Sequence, residues 1–266
     1  MAGAPSFDLL EAPARWRVVD FISDLHLKPE EPRTFEAWSR YMAHTPADAV
    51  VILGDLFEVW VGDDAALGDS FEARCGAVLD GCSADLAFMR GNRDFLVGAA
   101  FLSRHRVRDL ADPAVFTLAG QRFVLTHGDL LCTRDVAYQA FRRQVRAPAV
   151  QQAFLVRSLA ERRVLARHMR EQSEAGHDGV MDPARTYTDS DLVRAWLQAA
   201  DAATLIHGHT HLPADHALGF DTRGRALTQV VLSDWHIAAM TRRAEVLRLG
   251  ASGERARIDP AIAAPG

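Results

Sequence analysis

Five short blocks of carboxylate, imidazole and amide side chains recur along this chain, each where a β-strand should end. They are Asp24-x-His26, Gly54-Asp55, Gly91-Asn92-Arg93-Asp94, His127-Gly128-Asp129 and Gly208-His209-Thr210-His211. Oxygen and nitrogen donors without thiolate suit Mn²⁺, Fe or Zn²⁺ better than a soft metal. The seven donors are Asp24, His26, Asp55, Asn92, His127, His209 and His211. They are too many for one ion that must keep an open position, and they suit two ions sharing a bridge. Ions roughly 3.5–4 Å apart can clamp a phosphoryl group and generate hydroxide at neutral pH. Asp55 is the natural bridge, because a carboxylate has an oxygen for each ion. Any one block alone is commonplace; five in order point to a metal-dependent hydrolase.

The elements that must position these residues are legible too. Apolar runs lead into four blocks: residues 18–22, 50–53, 123–125 and 204–206. Leu86-Ala87-Phe88-Met89 gives the Asn block a weaker lead. A sheet aligns its strand ends at one edge, so distant residues can converge there. Residues 33–45 and 70–82 read as helices between strands, and this β-α-β-α-β alternation predicts an α/β layered fold. Glycines 54, 91, 128 and 208 are expected to turn the backbone sharply at the strand ends. A further helix is expected at about 188–200, a closing hairpin over 219–249, and a disordered Ala/Gly/Pro-rich tail after Gly250. No internal repeat is visible.

The texture changes after Asp129. Residues 134–172 hold no Gly and one Pro (Pro148), with apolar spacing near 3.6, as at Tyr138, Phe141 and Val145. Nine arginines (134, 142, 143, 146, 157, 162, 163, 167, 170) face three acids there (Asp135, Glu161, Glu171), although the whole chain carries −5. A basic helical insert in an acidic chain reads as a lid. It could grip a phosphorylated substrate, rest on anionic lipid, or simply present a solvated helix face. Its apolar residues Phe141, Phe154, Leu155, Val156, Leu159, Val164, Leu165 and Met169 could line a slot for acyl chains or pack the helices onto the body.

Composition bounds the rest. At 266 residues, 48% hydrophobic and 24% charged, the chain suits one large globular domain, or a domain with an insertion. Its net charge argues against a general nucleic-acid binder. Cys75, Cys82 and Cys132 form neither a disulfide framework nor a zinc spacing and favour a reducing compartment. No signal-like or membrane-spanning stretch is visible, so a cytoplasmic protein, or one attached to a membrane face, is expected. No obligate protein partner is evident.

The order D-x-H, G-D, G-N, H, G-H-x-H over residues 18–211 resembles the calcineurin-like metallophosphoesterases. The resemblance implies a four-layer α-β-β-α sandwich, with a core at 16–130 and 188–249 and a helical cap insertion at 131–187. It implies that Asp24, His26 and His211 hold one ion, Asn92, His127 and His209 the other, and Asp55 both. Most of that superfamily follows the Asn with a His; here the residue is Arg93. A guanidinium can fork onto phosphate oxygens but cannot act as a general acid. The substitution implies a leaving group that needs little protonation, such as a nucleoside monophosphate from a pyrophosphate.

That pattern is narrower. GDLFEVWVGDD (54–64), GNRDFLVG (91–98), HGDLLCTRDVAYQAFRRQVR (127–146), HGHTHLPA (207–214) and VVLSDWH (230–236) resemble the UDP-2,3-diacylglucosamine hydrolases of lipid A biosynthesis. The resemblance implies hydrolysis of UDP-2,3-diacylglucosamine to UMP and 2,3-diacylglucosamine 1-phosphate (lipid X), by metal-activated hydroxide attack on the α-phosphorus. It further implies two Mn²⁺ per chain, Asp55 and Arg93 as catalytic residues, and substrate contacts from Asn92, Arg93, Asp135, Ser173 and His209. The place implied is peripheral, on the cytoplasmic face of the bacterial inner membrane, with the basic cap on the anionic surface. One departure stands out: the polar stretch after Ser173 is short and offers Glu174, His177 and Asp178 where the family has an Asn and a Lys.

Two rival readings remain: a two-metal pyrophosphatase of another nucleotide-sugar or nucleotide, and a scaffold that kept the fold and lost the chemistry. The Gly-Asp block lacks the G-D-x-V-D-R-G form of diadenosine tetraphosphate hydrolases, and all seven donors remain. Among weaker candidates, Asp63, Asp64 and Asp129 are either partners of the ligand imidazoles or plain turn residues. His207 and His236 read as buried support, and tryptophans 16, 38, 60, 196 and 235 as core or cap packing.

Overall fold

The computed structural model describes residues 5–175, 186–237 and 242–265, with side chains omitted at 172–175. Among the described residues, twelve strands form two six-stranded sheets. The first sheet runs β12(Arg255–Ile258)-β11(Val246–Gly250)-β2(Val18–Ile22)-β3(Ala49–Leu53)-β4(Asp85–Met89)-β5(Val107–Leu110). The second runs β1(Asp8–Glu11)-β6(Ala114–Leu118)-β7(Gln121–Leu125)-β8(Thr204–His207)-β10(Ala226–Val231)-β9(Ala214–Phe220).

Side-chain alternation explains the stacking. Ala49, Val51 and Leu53 of β3 face a core shared with Phe116, Leu125 and Ile206 of the other sheet. Val50 and Ile52 face outward, onto Trp38, Tyr41, Leu79 and Phe101. Those belong to helices α1 (Pro32–His44), α2 (Phe71–Gly81) and α3 (Ala99–Arg104). A strand buried on both faces must be apolar throughout, which is why β3 reads as an unbroken run. The outer face of the second sheet meets Val193, Trp196 and Leu197 of a helix at Ser190–Ala200. The result is the expected α-β-β-α sandwich. All five tryptophans are buried.

After Leu131 the chain leaves the sandwich. It forms α4 (Val136–Val145), α5 (Pro148–Leu155) and α6 (Leu159–Ala175), and it returns to the helix at Ser190–Ala200, here α7. The stem closes where Asp189 N donates to Leu131 O at 2.9 Å, and the Asp189 side chain caps α7.

Three expectations need correction. The segment after Gly250 is not disordered: β12 pairs antiparallel with β11, and a last short helix, α8 (Pro260–Ala263), is capped by Asp259 and buries Ala263. Alternation at Arg255–Ile258 outweighs the Ala/Gly/Pro composition around it. The hairpin is β9–β10 at 214–231, whereas β11 joins the other sheet beside β2. The sandwich also begins earlier than residue 16, because β1 pairs with β6.

Candidate metal centre

Strands β2, β3 and β4 run parallel, as do β7 and β8. Their C-terminal ends meet at one edge of the sandwich, where His127 reaches Leu53 O, and the first donor of each block sits two or three residues beyond its strand. The loops are tied crosswise: Asp24 N donates to Gly54 O, His26 N to Asp55 O, and Gly208 N to His127 O, at 2.9–3.1 Å. Asp94 adds a buried clasp, accepting from Gly91 N and Leu56 N at 2.8 Å each. The backbone stays left-handed at Asp24, His26, Asp55, His209 and His211. Non-glycine residues held there store strain, a recurrent property of functional sites.

The seven donors converge. Asp24 Oδ1 lies 3.3 Å from His211 Nε2 and 3.9 Å from His26 Nε2. His26 Nε2 and His211 Nε2 face each other at 3.3 Å. Asn92 Oδ1 lies 2.9 Å from His127 Nε2 and 2.8 Å from His209 Nδ1. Between the two clusters, Asp55 Oδ2 is 3.7 Å from His127 Nε2 and 3.9 Å from His26 Nε2. Asp24, His26 and His211 can share one cation, and Asp24, Asp55 and His127 another. Asp24 Oδ1 is buried without a hydrogen-bond donor. Lone pairs aimed at a common point, with carboxylates fully out of water, fit divalent cations.

The electrostatics agree. Burial alone would raise the Asp24 carboxyl, but His211, His127 and His26 hold it far below the usual carboxylate range. His127 is pushed up to about 9, because Asp55, Asp24 and Asp129 outweigh the burial that opposes its charge. Its Nδ1 donates to Leu53 O at 2.9 Å, so Nε2 is the nitrogen that faces the site. Burial and the neighbouring His127 lower His209 to about 3, leaving it neutral and able to ligate.

Glycine acts here in two ways. Gly54 (φ 86°) and Gly128 (φ 115°) need the left-handed backbone, as expected. Gly91 and Gly208 do not; they are bare because a Cβ would collide with the carboxylates of Asp55 and Asp24.

Among the expected substrate contacts, Asn92, Arg93, Asp135 and His209 all line one cavity of about 630 Å³. Asp135 also caps α4, accepting from Tyr138 N at 2.9 Å. Ser173 falls in the last turn of α6, and its side chain lies outside the described residues, as do Glu174, His177 and Asp178. Phe141, Phe154 and Met169 line the same cavity, whereas Leu155, Val156, Leu159, Val164 and Leu165 do not.

The weaker candidates resolve as follows. Asp63 accepts from Gly98 N and Phe101 N, a turn role. Asp64 pairs with Arg162, and buried Asp129 holds Arg142. His207 is buried support: its Nδ1 donates to Gly208 O and its Nε2 meets Gln229. His236 is not a core residue; its side chain is 43% exposed and faces Glu31.

Sequence reasoning passed over Glu58 and Asp234. Glu58 Oε2 lies 3.3 Å from His26 Nδ1, and Glu58 also pairs with Arg170 of α6. Asp234 Oδ2 lies 3.8 Å from His211 Nδ1. Carboxylates behind ligand imidazoles orient the ring. Only their place in the quoted stretches 54–64 and 230–236 could have signalled them.

Residues 18–213 match the family model of the calcineurin-like phosphoesterases. The chain is 41% identical over 252 residues to the UDP-2,3-diacylglucosamine hydrolase of Stenotrophomonas maltophilia (strain R551-3), covering 88% of this chain and 95% of that relative. The hydrolases of the same name from Xanthomonas axonopodis pv. citri (strain 306) and Xanthomonas campestris pv. campestris (strain 8004) are 42% and 43% identical, with the same coverage.

Proposed function

The chain belongs to the UDP-2,3-diacylglucosamine hydrolases, within the calcineurin-like phosphoesterases, and from that membership we propose that it cleaves the pyrophosphate bond of UDP-2,3-diacylglucosamine. The products are UMP and 2,3-diacylglucosamine 1-phosphate, the lipid X of lipid A biosynthesis. One observation carries the reading to this substrate. The cavity joins Asn92, Arg93 and His209 at the metal centre to an apolar wall of Phe141, Val150, Phe154 and Met169. A polar head at the metals and acyl chains under the helices would fill such a space. Its volume is in the range of small-molecule sites.

Asp24, His26 and His211 would hold one Mn²⁺, and Asn92, His127 and His209 the other, with Asp55 serving both. When bound, two such ions supply a nucleophile from water and neutralise phosphoryl oxygens. Arg93, half-buried in the cavity wall, presents a planar guanidinium that can fork onto the pyrophosphate. It cannot deliver a proton. Attack at the α-phosphorus makes the sugar 1-phosphate, rather than the nucleoside monophosphate, the leaving group, and a phosphate monoester leaves without one. Asp135 and Ser173 complete the proposed substrate contacts from the cap, residues 131–187.

The membrane face is part of the proposal. Arg142, Arg146, Arg162 and Arg170 are turned inward onto Asp129, Asp64 and Glu58, so only part of the cap's charge is free to face a membrane. Arg143, Arg157 and Arg167 remain exposed. Beside them Val156 is 78% exposed, with Leu155 and Val164 also at the surface. Basic and apolar residues together suit an anionic bilayer surface, the cytoplasmic face of the inner membrane. Among the described residues no helix is long and apolar enough to cross a membrane.

The test is UMP release from UDP-2,3-diacylglucosamine in the presence of Mn²⁺. Turnover should exceed that of UDP-glucose by orders of magnitude. Equal rates on the two would instead support a pyrophosphatase of soluble nucleotide-sugars.

A further inference from the structure

Helix α4 has no fully buried residue. Beside the Tyr138 ring, 6.0 Å from that of His209, its ties to the sandwich are hydrogen bonds and ion pairs, and most converge on one carboxylate. Asp129, fully buried at the end of the fourth block, accepts from Tyr138 Oη at 2.6 Å and Arg142 Nε at 2.7 Å through Oδ2. Arg146 lies 3.7 Å from the same oxygen and donates to Gly91 O at 2.8 Å, next to Asn92. Gln139 donates to the Asp129 carbonyl at 2.7 Å.

Helical spacing gives this latch its consequence. Tyr138, Arg142 and Arg146 recur every fourth residue and form one stripe. Ala137, Phe141 and Val145, one residue earlier in each turn, form the adjoining stripe, and all three line the cavity. Whatever rotates the first stripe moves the second.

We propose that Asp129 is a positioning residue: by anchoring the Tyr138–Arg142–Arg146 stripe it sets α4 as the cavity wall, governing how lipid substrate binds without taking part in metal binding. The proposal rests on the hydrolase reading for its substrate alone.

The test is Arg142→Gln, with Asp129→Asn as the second variant. For Arg142→Gln, KM for UDP-2,3-diacylglucosamine should rise about tenfold or more, since small misplacements of a binding wall are expensive. Bound Mn²⁺ should match wild type. Hydrolysis of bis(p-nitrophenyl) phosphate, a diester too small to need the cap, should stay within about twofold. Asp129→Asn should repeat the KM effect, and the double variant should be no worse than the more impaired single, as expected of one shared interaction. Trypsin should cut the cap arginines faster in both. Loss of Mn²⁺, or an equal fall on both substrates, would overturn the proposal by making Asp129 part of the metal scaffold. An unchanged KM and unchanged trypsin pattern would overturn it too. If wild type fails on the lipid substrate, the function reading falls, while the trypsin pattern still decides the latch.

Discussion

Asp55 Oδ1 accepts the backbone N–H of Arg93 at 2.8 Å, and this one bond links the carboxylate proposed to bridge two cations to the arginine proposed to meet the pyrophosphate. With that oxygen fixed, Oδ2 points between His127 and His26. Asp55→Asn keeps the shape and removes the charge that two cations would share. We expect activity to fall at least about a thousandfold, the equivalent of roughly 4 kcal/mol of transition-state stabilisation. Metal content, read by elemental analysis after gel filtration, should drop as well. Full metal occupancy in this variant would contradict the bridge.

Arg93 contributes its backbone to Asp55 and its side chain to the cavity, so the two roles separate by mutation. Arg93→Ala retains the N–H and should therefore keep its metal. Its kcat/KM for UDP-2,3-diacylglucosamine should fall about 10²–10³-fold, the range for losing one charged donor in an electrostatic site. Arg93→Lys should recover only part of that, because an ammonium cannot fork. Steady-state kinetics with parallel metal analysis checks both; a lysine variant at wild-type rate would remove the argument for a bidentate contact.

Gly91 packs so closely on Asp55 that a Cβ there would overlap both its carboxylate and its backbone nitrogen. Both obstacles are buried and tied, so neither can yield. Gly91→Ala should cost about 3 kcal/mol of stability, the upper end for overpacking, and misplace the bridge. Urea unfolding with a metal assay on the same sample measures it. Gly81→Ala, at the end of α2 where nothing lies within 4 Å, is the control and should unfold at an equal or slightly higher midpoint.

Local chemistry explains what the sequence disclosed. Asp24, Asp55 and His127 announced themselves because each follows an apolar strand; parallel pairing of β2 with β3 aligns the first two, and His127, after β7 of the other sheet, is tied to the end of β3 through Leu53 O. Glu58 and Asp234 stayed hidden. Their role comes from facing His26 and His211 across separate loops, a relation with no fixed spacing. The same holds for the cap. Its charge was plain, but only tertiary placement shows that Arg142 and Arg170 are consumed by Asp129 and Glu58. The ordered segment after Gly250 was masked by composition: β12 and α8 gain their order from β11 and the buried Ala263, not from strong propensity.

His127 should make metal binding depend on pH in a defined direction. In the metal-free site its Nδ1 faces Leu53 O and its Nε2 faces Asn92 Oδ1, both acceptors, and buried carboxylates push it up to about 9. The group is raised above its unfolded value, so its protonated form adds stability below about pH 6.5, and that contribution fades as pH climbs through about 9. Stripped protein should lose up to roughly 3 kcal/mol over that window through this residue. A metal ion on Nε2 must displace the proton. Apparent Mn²⁺ affinity should therefore rise at least about tenfold per pH unit between pH 6 and 8 and level off above 9. Calorimetric titration of stripped protein at several pH values reads the slope. NMR of the His127 ring in stripped protein assigns the proton to it, and a ring that titrates below 7 would refute the account.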